Sequence, residues 1–218
     1  GSVCPLAPPA VTIPLPERVR TDKTMMPPPF PPRPPGALAE EAFLTACIRC
    51  SECIKVCRTN VLQPTLLEAG FEGLWTPRLA PRKQTRTEEG GCPKYCNLCT
   101  LVCPTNALRK LTLEEKQQFR LGLANLHRDR CLAWDWNMPC RVCYDYCPYY
   151  AIELKPIDGM LRPILHHDKC MGCGTCEHVC PIDGAAILVT AQRESRTQRS
   201  QGARAVDDAD KALPIETS

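Results

Sequence analysis

Four runs of cysteines are the residues of this sequence best suited to chemistry. The last run reads Cys170-x2-Cys173-x2-Cys176-x3-Cys180 and is followed by Pro181. This spacing holds a cubane [4Fe–4S] cluster: three thiolates bind one cluster, and in two-cluster proteins the fourth thiolate binds the neighbouring cluster. The run therefore predicts a protein that transfers electrons, and it requires a partner run elsewhere in the chain.

The other three runs have related spacing. The first run repeats the spacing of the last, but Arg58 stands where the motif usually has proline, which leaves a backbone amide free and places a cation near the metal site. Sixteen of the 17 cysteines belong to runs, and Cys4 is predicted to be a free thiol. We expect four [4Fe–4S] clusters. The predicted ligands are Cys47, Cys50, Cys53, Cys57, Cys92, Cys96, Cys99, Cys103, Cys131, Cys140, Cys143, Cys147, Cys170, Cys173, Cys176 and Cys180.

Three other interpretations of the cysteines are weaker. Close C-x2-C pairs in a chain of 218 residues are unlike the disulfide frameworks of small secreted domains. Four-cysteine zinc sites use similar pairs, so a zinc-binding interaction module stays open. The run that begins at Cys92 opens with the C-x3-C-x2-C spacing of radical S-adenosylmethionine enzymes. The chain that follows is too short for the usual barrel of such enzymes and contains further cysteine runs.

Composition and charge exclude several classes of function. Aromatic residues make up 6% of the chain and there are 23 prolines, so bound clusters are expected to stabilise a small apolar core. The formal net charge is +3, but each all-cysteine cluster would add about −2 with its thiolates. Basic residues are scattered among acidic ones, and we expect no nucleic-acid binding. No apolar run reaches the roughly 18 residues that span a bilayer.

The sequence predicts an α+β fold of two ferredoxin-like 2[4Fe–4S] modules, with short strands, short helices and long loops, because the segments around each run recur four times. Residues 1–36 contain twelve prolines and predict an extended arm. Residues 37–190 are predicted to form the four-cluster domain. Residues 191–218 are polar and charged, which predicts a disordered or partner-bound tail.

Several local elements can be predicted within the domain. Residues 37–46 have helical periodicity, and a capping box at Thr112 and Glu115 predicts a helix that ends near residue 124. Apolar segments on either side of Asp158-Gly159 predict a hairpin. Residues 61–91 predict a long loop that is a candidate docking surface. The apolar residues expected to anchor this loop to the domain are Leu66, Leu67, Phe71, Leu74 and Trp75.

The pairing of the runs is predicted from their likeness. The first and last runs share regular spacing and the middle two share irregular spacers, which favours a nested arrangement over a sequential one. The nested sets are Cys47, Cys50, Cys53 with Cys180; Cys170, Cys173, Cys176 with Cys57; Cys92, Cys96, Cys99 with Cys147; and Cys131, Cys140, Cys143 with Cys103. A structure that joins Cys57 to Cys92, Cys96 and Cys99 would contradict this prediction.

No catalytic site is predicted. The four histidines are isolated from any nucleophile or second base, and no phosphate-binding glycine loop is present. Saturated clusters leave no iron open to a substrate. The chain is therefore expected to be an electron-transfer protein, or a subunit of an oxidoreductase, without a catalytic site of its own. The alternative is a structural iron–sulfur subunit that forms the internal wiring of a larger complex.

Several stretches outside the cysteines resemble the ferredoxin-type proteins of the NapG/MauM group. They are Arg33-Pro-Pro-Gly-Ala-Leu38, Phe43-Leu44, Leu62-Gln-Pro64 and Leu67-Glu-Ala-Gly-Phe-Glu-Gly-Leu-Trp-Thr-Pro77, and with the four runs the resemblance covers about residues 33–190. It implies a periplasmic protein, exported folded with its clusters. It further implies electron transfer from a membrane quinol dehydrogenase subunit to a soluble redox protein or reductase. The sequence shows no signal peptide, so the cytoplasm stays the alternative location.

Overall fold

The computed structural model describes residues 30–82 and 90–196, so that Cys4, most of the predicted arm, segment 83–89 and the end of the predicted tail lie outside the described residues. The described chain forms short helices and strands joined by turns. The helices are α1 (Glu40–Ala46), α2 (Glu52–Lys55), α3 (Leu98–Leu101), α4 (Leu113–Gln118), α5 (Val142–Asp145) and α6 (Thr175–His178). The strands are β1 (Leu62–Pro64), β2 (Pro77–Leu79), β3 (Leu123–Leu126), β4 (Ile152–Ile157), β5 (Met160–Leu165) and β6 (Ile187–Thr190).

The two halves of the described chain repeat one plan. In the second half, β3 pairs antiparallel with β6, and β4 pairs antiparallel with β5. In the first half, β1 pairs antiparallel with β2, and Ala37 forms an antiparallel bridge with Leu108 that takes the place of the β3–β6 pair. Helix α2 packs against α3, and α5 against α6. The chain therefore folds as two ferredoxin-type modules of mixed α and β structure, each built from two consecutive cysteine runs.

The predicted hairpin at Asp158-Gly159 is confirmed. Both residues have positive φ, 51° and 76°, which suits the two-residue turn between β4 and β5. The strands pair over their full length, from Ile152 opposite Leu165 to Ile157 opposite Met160. A hairpin returns the chain to its starting point, so the fourth cysteine run lies beside the third.

Both predicted helices are present but shorter than expected. The Thr112 hydroxyl accepts a hydrogen bond from the Glu115 amide, and the Glu115 carboxylate accepts one from the Thr112 amide, which confirms the capping box. Helix α4 ends at Gln118 because the chain must turn toward β3. A Cβ on Gly122 would lie 2.2 Å from the Thr190 carbonyl oxygen of the neighbouring strand. Helix α1 begins at Glu40 because the preceding residues pair with the segment around Leu108.

The packed body extends beyond both predicted boundaries. Arg33 is 1% exposed, although it lies in the predicted arm, and Glu194 and Arg196 are buried, although they lie in the predicted tail. Glu40 of α1 forms ion pairs with both Arg33 and Arg196, and Arg196 also pairs with Glu194. Residues 33–36 and 191–196 therefore pack on the domain. The sequence pattern does not show the packing of the tail residues, because the ion pair between Glu40 and Arg196 joins charges 156 positions apart.

Four of the five apolar residues expected to anchor the loop between β1 and β2 do not do so, which corrects the sequence prediction, and Leu74 alone of the five is half-buried. Phe71 is 85% exposed and Trp75 is 56% exposed, and Leu66 and Leu67 are also exposed. Polar groups hold the loop instead. The hydroxyls of two fully buried threonines, at positions 65 and 76, lie 3.1 Å apart and both donate to the carbonyl oxygen of Gly73. The apolar side chains are thereby left facing outward.

The apolar cores are small and contain cysteines. The core of the first module packs Phe43, Leu62 and Leu108 around cysteines of the first two runs. The core of the second module packs residues of β3, β4 and β6 around cysteines of the last two runs. Several predicted ligand positions are therefore also core positions. No helix in the described part of the chain is long and apolar enough to cross a bilayer.

Candidate metal centres

The sixteen cysteines of the runs lie in four sets of four, each around a cavity. The cavities enclose about 330 to 360 Å³, part of it open to solvent. Site I is Cys47, Cys50, Cys53 and Cys103; site II is Cys92, Cys96, Cys99 and Cys57; site III is Cys170, Cys173, Cys176 and Cys147; site IV is Cys131, Cys140, Cys143 and Cys180. Each set combines the first three cysteines of one run with the last cysteine of another.

The pairing of the runs is sequential, and the nested prediction is wrong. Cys57 joins site II and Cys103 joins site I, so the first two runs exchange their last cysteines. Cys147 and Cys180 are exchanged in the same way between the last two runs. The physical reason is that hairpins β1–β2 and β4–β5 fold each run back beside the next. Two runs with similar cysteine spacing are not brought together by that similarity.

Each run forms its site through a tight loop followed by one short helical turn. Ser51 and Gly174 precede α2 and α6 in the left-handed conformation, with φ of 63° and 84°. A left-handed residue at this point changes the direction of the chain. The first two cysteines of the run and the cysteine inside the helix can therefore face one cavity. The helices bury Cys53 and Cys176. The last cysteine of the run then follows the helix and points to the other site of the module.

Three of the exchanged cysteines accept a backbone hydrogen bond from the strand or turn that follows them. These bonds run from Leu108 N to Cys103 Sγ (3.4 Å), from Ala151 N to Cys147 Sγ (3.3 Å) and from Ala186 N to Cys180 Sγ (3.3 Å). Cys57 differs, since the Thr59 hydroxyl lies 3.8 Å from its sulfur and donates to the Gly91 carbonyl oxygen at 2.7 Å. Hydrogen bonds to sulfur tune an iron–sulfur site, so site II is distinct in this respect.

The thiols are buried in a way that suits a bound group of iron and sulfide. Burial raises the pKa of Cys53 and Cys143 to about 12 and that of Cys92 to about 11. Thiolates in these places require positive charge, which iron supplies while the thiol protons are released. In residues 30–82 and 90–196, no group of three or more His, Cys, Asp or Glu is placed to hold a single metal ion. The four-thiol cavities fit a cofactor of several metals.

The four sites follow one another from I to IV. Sites I and II share the first module, and sites III and IV share the second. Between the modules, the Cys92 amide of site II donates to the Cys173 carbonyl oxygen of site III at 2.7 Å. Gly91 permits this approach, because a Cβ there would lie 2.6 Å from the Thr175 amide nitrogen and its φ is 83°. Sites II and III therefore meet at the centre, and sites I and IV lie at the ends.

The long spacer of the third run folds over site IV. Trp134 is half-buried, its indole N–H donates to the Pro163 carbonyl oxygen at 3.2 Å, and the guanidinium groups of Arg128 and Arg162 lie 4.1 and 5.0 Å from its ring. Trp136 is 61% exposed. The first indole packs against the small core around Cys131 of site IV, and the second faces solvent.

Two histidines and Arg58 lie outside the four-cysteine sets. The ring nitrogen Nδ1 of His178 lies 3.0 Å from the Pro81 carbonyl oxygen, and His166 contacts the Glu153 carboxylate at 2.7 Å. Arg58 is exposed and lines the cavity of site II. Cys57 completes the set with the C-x3-C-x2-C spacing, which removes the observation behind the radical-enzyme interpretation.

Comparison with known proteins agrees with this geometry. A model of a 4Fe-4S binding domain matches residues 44–60, and a model of a 4Fe-4S dicluster domain matches residues 138–183. The methylamine utilization ferredoxin-type protein MauM of Methylorubrum extorquens is 36% identical over 170 residues, which cover 72% of this chain and 71% of that protein. The ferredoxin-type protein NapG of Escherichia coli is 35% identical over 168 residues, with coverage of 72% and 69%.

The chain belongs to the NapG/MauM family of ferredoxin-type proteins. The ferredoxin-type protein NapF of Escherichia coli is a further relative, 34% identical over 152 residues that cover 69% of this chain and 80% of that protein. Family membership confirms the predicted chemistry: this is a ferredoxin-type electron-transfer protein that binds [4Fe–4S] clusters. The dicluster match covers Cys140, Cys143 and Cys147 of the third run together with the whole fourth run, in agreement with the sequential pairing seen here.

Two charged residues near the sites were missed by sequence reasoning. Lys116 of α4 is buried, and its ammonium donates to the Pro93 carbonyl oxygen at 2.5 Å, next to site II. Glu177, beside Cys176 of site III, is buried and accepts a hydrogen bond from the Val189 amide at 2.7 Å. Burial raises the pKa of Glu177 against the opposing effects of this bond and of nearby arginines. Cysteine spacing carries no signal for either residue.

Proposed function

We propose that the protein holds four [4Fe–4S] clusters through all sixteen cysteines of sites I to IV and carries electrons from a quinol-oxidising partner in the membrane to a soluble redox protein or reductase. Four complete four-cysteine sites in consecutive order are the observation that carries this proposal. A bound cluster supplies one-electron redox chemistry. The protein supplies the order of the sites and their separation from water, and it has no catalytic site of its own.

The positions of the sites support entry and exit at the two ends. At the centre, Cys92 and Cys173 are buried at the junction of the modules. At one end, Cys50 of site I is exposed, and at the other, Cys140 of site IV is partly exposed beside the exposed Trp136. A partner can therefore approach the end sites, whereas the middle sites are reached through them. We propose residues 37–190, with the packed residues 33–36 and 191–196, as the cluster domain.

The proposal is tested first by metal content. Protein purified without oxygen is expected to be brown and to contain about sixteen irons and sixteen sulfides per chain. Fewer than about twelve irons would contradict four cubane clusters. A colourless protein with about four zincs would identify the zinc-binding module instead. Electron transfer is then measured as reoxidation of the reduced protein by a soluble acceptor. A subunit that serves only as internal wiring would pass electrons only within its complex.

The proposed location is the periplasm, as the resemblance to the NapG/MauM group implies. The test is fractionation of cells that express the natural gene, with the protein detected by antibody. Recovery in the periplasmic fraction with its clusters is expected. Recovery only in the cytoplasmic fraction would favour the alternative location.

The exposed loop between β1 and β2 is the proposed binding surface for the membrane partner. It is fixed to site I, since the Arg49 guanidinium in the first run donates to the carbonyl oxygens of Leu74 (2.9 Å) and Glu72 (2.7 Å). Its outward face is apolar, and Trp75 has a φ of 65°, a conformation that bulky residues rarely adopt. The nearby Glu68 carboxylate is neutralised by Arg78 at 2.8 Å. A preformed apolar surface suits an apolar partner.

Replacing Phe71 and Trp75 together by serine is expected to weaken electron transfer from membranes that contain quinol and the quinol-oxidising partner. Exposed aromatic residues at interfaces contribute strongly to binding, so the apparent affinity should fall about tenfold, which is roughly 1.4 kcal/mol. Iron content should not change, because both side chains face solvent. Leu161→Ser, an exposed apolar change in the other module, is the control. Equal transfer rates in the double variant and the unaltered protein at limiting membrane concentration would exclude this surface.

A further inference from the structure

Lys116 is buried beside site II without a carboxylate partner. The residue lies on the inner face of α4 and is 1% exposed. Its ammonium donates to the carbonyl oxygen of Pro93, the residue that follows Cys92. Among the described residues, no Asp or Glu lies within ion-pair distance of it. The one polar contact that the structure gives the ammonium is with a neutral acceptor.

A buried ammonium in this position requires a negative charge nearby. Lysine is among the residues least often buried, and an unpaired charge in a protein interior is strongly unfavourable. The surface lysines Lys55 and Lys155, in contrast, pair with glutamates. Pro93, which accepts the hydrogen bond from Lys116, lines the cavity of site II directly after the predicted ligand Cys92. The ammonium therefore faces the place where an anionic cluster with its thiolates would lie.

We propose that Lys116 is the fixed counter-charge of the cluster in site II and that it raises the reduction potential of this cluster above that of site III. Reduction adds one negative charge to the cluster, and a cation held in a medium of low dielectric stabilises the reduced form more than the oxidised form. Among the described residues, Lys116 is the only buried lysine, so site III has no equivalent of it. The inference rests on the proposed function only in requiring a cluster in site II.

At the junction of the modules, the cluster of site II would then have a higher reduction potential than the cluster of site III. Sites II and III are in contact through Cys92 and Cys173, so an electron that reaches the junction resides on the side of Lys116. The cation of Arg49 at site I is less effective, since its side chain is exposed and water screens its charge. Lys116 is thus a positioning residue that acts on electron distribution without contact with a substrate.

The test compares Lys116→Met, Lys116→Gln and Lys116→Arg with the control Lys110→Met, which removes the charge of an exposed lysine. The cluster potentials of each loaded protein are measured by redox titration with electron paramagnetic resonance detection. In the methionine and glutamine variants, we expect the reduction equilibrium of one cluster to fall at least tenfold, about 59 mV for one electron. The other clusters, and all clusters of the control, should keep their potentials. The shifted signal should be absent when Cys96→Ser removes the site II cluster.

Each outcome decides the proposal. Neutral variants that load fully and show no shift overturn it, and so does a shift assigned to site I, III or IV alone. Loss of the site II cluster in both neutral variants, with retention in Lys116→Arg, supports a requirement for charge. Loss of the site II cluster in all three variants would show that the shape of the lysine side chain is required rather than its charge, and it overturns the proposal. Failure of the proposed function is separate, because it would appear in the iron content of the unaltered protein.

Discussion

Replacing Cys57 by serine is expected to remove the cluster of site II while the clusters of the last two runs stay intact. Cys57 belongs to the first run by sequence, but its thiol lies with Cys92, Cys96 and Cys99. The variant should lose about four of about sixteen irons. Metal binding contributes to folding in small metal-binding domains, so the first module should also become less stable.

A double-substitution experiment tells sequential pairing from nested pairing. Cys57→Ser combined with Cys96→Ser acts on one cluster, so the pair should lose no more iron than either single variant. Cys57→Ser combined with Cys176→Ser acts on two clusters and should leave about eight irons. The nested arrangement predicts the reverse, because it places Cys57 with Cys176. Iron and sulfide analysis of anaerobically purified protein measures both results.

The control for these variants is Cys4→Ser, which removes a cysteine outside the four runs. It should retain the full iron content. Additive loss in the Cys57 and Cys96 pair would contradict the sequential arrangement. Serine can weakly replace cysteine as a ligand, so Cys57→Ala should be measured as well, and its iron content should be no higher than that of the serine variant.

The three cysteines that each run contributes to one site were predictable from the sequence because ligand spacing is a local property. Three cysteines within one tight loop reach one cluster whatever the rest of the chain does. The exchange of the fourth cysteine was also predicted, but the run that receives it was not predictable in this way. It depends on how β1 pairs with β2 and how β4 pairs with β5. The sequence did predict the hairpin at Asp158-Gly159. Because a hairpin brings the chain back to where it started, this hairpin places the fourth run beside the third and pairs them.

The loop between β1 and β2 shows why apolar residues were misplaced. Phe71 and Trp75 have the composition of buried anchors, and only the structure shows that polar bonds made by Thr65 and Thr76 hold the loop. The same limitation applies to Lys116, whose burial arises from the contact of α4 with Pro93. Hydrophobic patterning indicates which residues favour burial. It cannot predict the positions where hydrogen bonds and charges expose an apolar side chain or bury a charged one.

The hydrogen bonds and ion pairs of Arg33 predict a large effect of its replacement on the stability of the domain. The buried guanidinium donates to Glu40 Oε1 (2.5 Å), Thr76 Oγ1 (2.8 Å) and the Pro77 carbonyl oxygen (3.0 Å), and lies 4.9 Å from the Phe43 ring centre. Burial acts to raise the pKa of Glu40, but the hydrogen bonds and charges of Arg33 and Arg196 outweigh it, and the pKa lies below its usual value. Glu40 is therefore ionised and depends on its arginines.

Arg33→Met should lower the free energy of unfolding by about 3 to 5 kcal/mol, because it leaves the half-buried Glu40 carboxylate with one cation fewer and removes the buried donors to Thr76 and Pro77. The apparent melting temperature should fall by roughly 6 to 20 °C at a fixed scan rate, followed by loss of cluster absorbance. Arg141→Met is the matched control, since its ion pair with Asp145 is exposed and contributes below about 1 kcal/mol. The two variants should therefore differ by several degrees. Equal melting temperatures would show that residues 33–36 add little to the domain and that the boundary predicted at residue 37 holds energetically.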